Sequence, residues 1–304
     1  MKAREPDGAT VGLGEAPPGH GVHRFSHEAM ATVFEVRCLH DDARYAAQAA
    51  RAGFDLVDRL EQDLSRFIGN SDVSRINHLA AGQGTRVNRF TMECLEIARH
   101  LHGVTGGAFD ISIGSGLERL ELDPEESTVH AREGGARLDL GGIGKGYAVD
   151  RMAELMEEWG IPHALVHGGY SSVLALEAPP GQDGWPLTLT APGKDQVLAR
   201  VSARRRAFSA SGVRKGDHIQ DPRTGLPVQG RAAAWVAVAA AAPWHEDGLS
   251  PAAVADALST AFMILRTEEV AEICRRSPEI EAWLVREPAE EGLVHLAAAA
   301  PGGG

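Results

Sequence analysis

Apolar and polar positions along the chain alternate in two rhythms, and the rhythms mark out the elements. Thr32 to Cys38 (TVFEVRC) alternates with the period of a strand. Ala43 to Phe67 repeats at helical spacing behind Asp41 or Asp42 as N-cap, and Asn88 caps a second helix running to about Gly103. Strands are expected at 137–140, 163–167, 172–177, 185–191 and 197–203. The apolar run from Ala232 to Ala242 reads as a buried strand. Ser250 as N-cap and Pro251 at the first helical position open a helix to about Leu265. A short helix at 267–276 and strands at 281–287 and 293–297 close the pattern. This order is too irregular for an alternating parallel sheet, which points to an α+β fold. No linker divides the chain. Residues 1–22 and 299–304 are expected to be disordered from their Gly- and Pro-rich composition, leaving 23–298 as the folded domain.

The loop in LDLGGIGKGYAVDRM (138–152) stands out against this pattern. Leu138 and Leu140 flank Asp139 as in a strand. From Tyr147 the apolar residues Ala148, Met152, Leu155, Met156 and Trp159 return at helical spacing, until Gly160 and Pro162 end the helix. The loop is neither a P-loop nor a dinucleotide fingerprint. Asp139 stands where the first P-loop glycine belongs and Gly146 where the Ser or Thr belongs, and Tyr147 replaces the third fingerprint glycine. A glycine-rich turn into a helix N-terminus still suits an anion. A tight turn without a ligand is the other reading.

Composition narrows the partners. The 304 residues are 43% hydrophobic with a net charge of −12, and the only basic run is Arg204-Arg205-Arg206, so nucleic acid is excluded as a partner. Those arginines read as a solvated strand end. Cys38, Cys94 and Cys274 lack metal or redox spacing and read as buried free thiols. The N-terminus has no apolar signal region, and no run is long enough to span a membrane, so a cytoplasmic protein is expected.

Three further stretches carry candidate chemistry. In TGGAFDISIG (105–114) a helix end passes through Gly106 and Gly107 toward a strand. Phe109 and Asp110 either line a pocket, or Gly106 and Gly107 merely end the helix and Phe109 fills the core. In SASGVRKGDHIQDPRTGLPV (209–228), Asp221-Pro222-Arg223-Thr224-Gly225 is a turn signature. His218 beside it is a candidate base or phosphate donor. In AVADALSTAFMIL (253–265), Asp256 and Thr260 share one face of an otherwise apolar helix. Either they offer oxygens to a hard cation such as Mg²⁺, or Asp256 caps a neighbouring element and Thr260 bonds back to its carbonyl.

Taken in order, AFD, LDLGGIGKGYAVD, SASG…HIQDPRTG and ADALSTA resemble the ApbE family of FAD:protein FMN transferases. Met30-Ala31-Thr32 is similar to that family's Met-Gly-Thr strand start, and LSRFIGNSDVSRIN (64–77) to another of its segments; the resemblance spans about 25–297. It implies an ApbE-like α+β fold of two related, T-fold-like α/β subdomains. It also implies a Mg²⁺-dependent reaction in which a Thr or Ser hydroxyl of an acceptor protein attacks FAD, keeps FMN and releases AMP. By motif position it implies Asp256, Thr260 and the Gly144 carbonyl as metal ligands. Lys145 falls at a phosphate oxygen and His218 at the base position. Met30, Phe67, Ala108, Phe109, Asp110, Gly142 and Gly169 fall at FAD-contact positions. The chain departs from the family in a short stretch after Gly114, a short one after Ser211, and Tyr170 in place of Asp or Asn after two glycines. A flavin-binding protein without catalysis, or an FAD hydrolase giving FMN and AMP, would use the same residues.

Overall fold

The computed structural model describes residues 9–14, 21–192, 196–212, 219–240, 250–286 and 292–298. Along the chain the strands are β1 (Thr10–Leu13), β2 (Val22–Ala29), β3 (Thr32–Leu39), β4 (Gly84–Arg86), β5 (Leu120–Asp123), β6 (Thr128–Ala131), β7 (Ala164–Gly168), β8 (Ser172–Ala175), β9 (Trp185–Thr190), β10 (Val197–Ala203), β11 (Arg206–Gly212), β12 (Gln220–Asp221), β13 (Leu226–Pro227), β14 (Arg231–Ala239), β15 (Ile280–Arg286) and β16 (Leu293–Leu296). The helices are α1 (Ala43–Leu64), α2 (Asp72–Asn77), α3 (Arg89–Val104), α4 (Gly144–Glu158), α5 (Pro251–Ile264) and α6 (Thr267–Arg276). Eight strands form one antiparallel sheet in the order β16-β15-β14-β11-β8-β7-β3-β2.

Both faces of this sheet are covered, which explains the unbroken apolar run of β14. Ala234, Val236 and Val238 point into a core shared with α1, α4 and α5, while Ala233, Trp235 and Ala237 point into a second core under the sheet β1-β9-β10. A strand buried on both faces has no need of alternation. Helix α1 presents one apolar face, with Ala46, Ala49, Ala50, Phe54, Val57, Leu60 and Leu64 as its buried stripe, and is capped by Asp42, whose carboxylate accepts from the Arg44 and Tyr45 amides; α5 is buried almost all round. A third small sheet, β4-β6-β5, and the hairpin β12-β13 complete the described residues. The α+β class and the three buried free cysteines match expectation.

Several expectations need correction. Residues 137–140 form no strand. The alternation is real, but Leu138 pairs with a side chain: its N–H donates to Asn77 Oδ1 (2.6 Å), and its carbonyl accepts from Asn77 Nδ2 (3.0 Å). The Asp139 amide donates to the Ile111 carbonyl (2.7 Å), and α4 starts at Gly144, three residues before Tyr147. No strand follows Asp110 either. Its carboxylate folds the chain into a turn by accepting from the Ser112 amide and hydroxyl and the Gly114 amide. The N-terminal segment is not disordered throughout, because burial of Ala9 and Val11 holds β1 against β9. Ser250 occupies the N-cap position of α5 without capping it; the cap is Asp150 of α4, which accepts from the Ala252 (2.9 Å) and Ala253 (2.8 Å) amides. The arginine run is ion-paired rather than merely solvated: Arg204 and Arg205 meet Glu177, Arg205 also meets Glu157, and Arg206 meets Glu281.

Candidate functional site

Two helices and three turns build the site. The helices α4 and α5 cross so closely that a Cβ on Gly146 would lie 2.2 Å from the Ala252 carbonyl oxygen and 2.7 Å from Asp256 Cβ. Only glycine permits that approach. The closeness lets the Gly146 amide, in the first turn of α4, donate to Asp256 Oδ2 (3.0 Å). Ser209 of β11 donates to Oδ1 (3.2 Å), and Lys145 Nζ stands 3.7 Å from Oδ2 while donating to the Gly141 carbonyl. Asp256 is 4% exposed, so its oxygens look to these donors, and to whatever occupies the cleft beside it, for the partners that water would otherwise supply. One turn on, the Thr260 hydroxyl has only long contacts, 3.3 Å to Ser211 Oγ and 3.5 Å to the Asp256 carbonyl. The capping alternative for Asp256 is therefore realised at α4. The back-bond of Thr260 is marginal, and its oxygen faces the cleft with valence to spare.

Above these residues lies a cleft of two contiguous lobes. One, about 230 Å³, is bounded by Met30, Leu64, Phe67, Gly144 and Lys145. The other, about 520 Å³, is bounded by Gly142, Lys145, Gly169, Tyr170, Ser211, Asp256 and Thr260. Met30, Ala31, Asp139, Gly141 and Lys145 belong to both and mark the waist. Met30 and Ala31 form the two-residue hairpin between β2 and β3, both at positive φ (48° and 57°), with the Met30 amide held by Glu61 (2.9 Å). That is a strained turn for residues with side chains, and such strain concentrates at working sites. Phe67, 83% exposed, stands at the rim with the Arg66 guanidinium 4.7 Å above its ring, and Arg66 reaches Asp139 (3.2 Å).

Not every expected contact residue reaches the cleft. Ala108 and Phe109 are buried, and the Phe109 ring lies beneath Gly142, where a glycine Cβ would be 3.3 Å from it. Phe109 thus props the loop, and Asp110 builds the turn described above. Gly169 (φ 64°) abuts Thr32, whose hydroxyl would be 2.5 Å from an added Cβ. His218 lies outside the described residues. Among the described residues no group of three or more His, Cys, Asp or Glu side chains could hold a metal, so any cation would rely on Asp256, neutral oxygens and the ligand.

Two residues here escaped the sequence reading. Asp150, fully buried, anchors the N-terminus of the helix that carries Asp256; burial pushes its pKa up to about 7, against the pull of the two amides it accepts from. Ser209 links Asp256 to Ser172 (3.2 Å) in the sheet. A lone carboxylate in the motif GYAVD was the available signal for the first; nothing in the sequence marked the second.

Known proteins share this architecture and stretches of this sequence. Residues 30–118 and 115–284 match the model of the ApbE family. An FAD:protein FMN transferase of Salmonella typhimurium is 26% identical over 292 residues, 82% of this chain and 80% of its own length. The Vibrio cholerae protein of that name is 25% identical over 257 residues, 70% of this chain and 75% of its own. Among solved structures, the flavin transferase ApbE from Vibrio cholerae superposes with a TM-score of 0.76 at 19% identity, covering 91% of this chain and 98% of that one. The apo flavinyl transferase ApbE from Pseudomonas stutzeri gives 0.76 at 23% identity, covering 92% and 95%. The last two likenesses establish the fold; the matched stretches of sequence establish that the chain belongs to the ApbE family.

Proposed function

We propose that this protein is an FAD:protein FMN transferase, moving FMN from FAD to a Thr or Ser hydroxyl of an acceptor protein and releasing AMP. The observation that carries the reading is the buried Asp256 with Thr260 one turn away, set in a two-lobed cleft beside Lys145 and the N-terminus of α4. The curated relatives of the same name support it.

The pyrophosphate of FAD belongs at the waist, with one ring in each lobe. There the Lys145 ammonium and the positive end of the α4 dipole meet its charge. The donor set fits Mg²⁺: Asp256 retains lone pairs beyond its bonds to Gly146 and Ser209, and Thr260 and the Gly144 carbonyl add hard oxygens. Such an ion, when bound, neutralises charge on the pyrophosphate and the departing AMP. Lys145 holds the phosphate against Asp256, and the lobes fix the rings so that an acceptor hydroxyl meets phosphorus in line. The hydroxyl proton needs a base, and His218 is the proposed one from its place in SASG…HIQDPRTG.

The test incubates the protein with FAD and Mg²⁺, with and without a flavinylatable acceptor fragment. AMP release together with a covalently fluorescent acceptor band supports transfer. AMP with free FMN and no band indicates hydrolysis instead, and flavin retention without AMP indicates a binding protein.

A further inference from the structure

Tyr170 occupies a closely specified place on the wall of the larger lobe. It sits at the tip of the β7–β8 hairpin, where Gly168 pairs with Ser172. Its backbone is left-handed (φ 60°), a costly conformation for a bulky side chain. The conformation is enforced from several sides. Gly169, also left-handed, is wedged against Thr32. The Tyr170 carbonyl accepts from the Val11 amide (2.9 Å) of β1, and the Ser171 carbonyl from the Ala210 amide (2.9 Å) of β11. The ring stands edge-on to His167 (5.7 Å between centroids, 83°). His167 is 5% exposed and burial lowers its pKa to about 4, so the ring rests on a neutral imidazole. Yet Tyr170 stays 43% exposed, on the wall of the larger lobe. The smaller lobe has its own exposed aromatic, Phe67, on the far side of the waist.

Two lobes either side of a waist that carries Lys145, each with one exposed aromatic ring, match a ligand with two planar rings either side of a pyrophosphate. We propose that Tyr170 is a specificity-determining residue whose ring face stacks on the ring of FAD held in the larger lobe. This rests on the FAD reading of the site. The strained tip orients the ring, and β1 braces the tip from behind. Stacking of aromatic rings contributes enough to change affinity roughly three- to tenfold.

The experiment measures FAD affinity by quenching of flavin fluorescence, without acceptor and without reading AMP. Tyr170→Phe keeps the ring and should bind FAD as the parent does. Tyr170→Leu keeps bulk and strain but removes the π face, and should weaken binding roughly three- to tenfold. Tyr170→Gly fits the left-handed backbone and keeps the test valid if the leucine variant folds poorly; it should weaken binding as leucine does. Competition with FMN and with AMP in the same variants identifies the stacked ring as the one whose monophosphate loses affinity. Leucine and glycine variants that bind FAD like the parent overturn the proposal, as does a phenylalanine variant as weak as glycine, which would assign the effect to the hydroxyl. A parent protein with no affinity for FAD overturns the FAD reading itself and takes this proposal with it.

Discussion

Gly146 and Gly144 lie two residues apart in the first turn of α4, and the structure assigns them opposite tolerance to a methyl group. A Cβ at position 146 would lie 2.2 Å from the Ala252 oxygen, 2.6 Å from the Ala252 carbonyl carbon and 2.7 Å from Asp256 Cβ. Backbone and a helix-bound Cβ cannot swing aside as a flexible side-chain end can. For Gly146→Ala, relief therefore requires α4 and α5 to part by about an ångström, at an overpacking cost of roughly 1–3 kcal/mol. Parting also stretches the Gly146 amide bond to the Asp256 carboxylate, a charge-assisted bond worth roughly 1.5–3 kcal/mol. Alanine's helix preference returns at most about 1 kcal/mol. The net expectation is a loss of roughly 2–4 kcal/mol, or a fall in Tm of roughly 3–6 °C. AMP release should fall too, because the displaced element carries Asp256 and Thr260. Gly144→Ala is the matched control: no atom lies within 4 Å of the place its Cβ would take, so stability should hold or rise by up to about 1 kcal/mol. Calorimetry and AMP release are read on both variants. Equal Tm values for the two, with undiminished AMP release from Gly146→Ala, would refute the close-approach argument.

Other expectations follow from the same geometry. Asp150, raised from 3.8 to about 7 by burial, contributes stability that is complete below about pH 4 and lost as pH rises through about 7, by up to about 4 kcal/mol. Urea unfolding at pH 5 and pH 7.5 should show the parent losing stability relative to Asp150→Asn across that window; a pH-independent difference sinks the assignment. Ala31→Gly relieves a left-handed alanine in the β2–β3 turn and should raise stability by roughly 1 kcal/mol, visible as a higher urea midpoint. Asp256→Asn keeps the acceptor toward Ser209 but removes the charge beside Lys145, so Mg²⁺-dependent AMP release should drop at least about a hundredfold with circular dichroism unchanged. Ordinary turnover in that variant would remove Asp256 from the reaction.

What the sequence disclosed depended on how local the cause was. The helix α5 was legible because Ser-Pro and an all-apolar run are sufficient signals within one segment. Likewise β14 was legible as buried, since burial on both faces leaves an unbroken apolar string. The stretch Leu138–Leu140 misled because alternation specifies a pleat but not its partner, and the partner is the Asn77 amide. The strand β1 was hidden because four residues in a Gly-rich segment gain their hold from Thr190 and Trp235, far along the chain. That Asp256 and Thr260 share one helix face beside the cleft was legible from their spacing. Asp150 and Ser209, and the close approach at Gly146, were not legible, since they matter only where α4, α5 and β11 converge. Phe109 and Asp110 lie one layer beneath the cleft surface, a depth that adjacency in a motif does not encode.

The bond from Trp235 Nε1 to the Thr10 carbonyl joins residues 225 positions apart, and β1 has no place to dock until β9 and β14 exist. Closing so long a loop costs entropy that a four-residue strand recovers only once both partners are in place, so β1 is expected to dock late. The wall that braces Tyr170 is therefore among the last parts of the molecule to assemble and among the first to open. Under mild denaturant, amide exchange at Val11 should outpace that of the α4–α5 crossing, and grip on a ligand in the larger lobe should slacken before the helices melt.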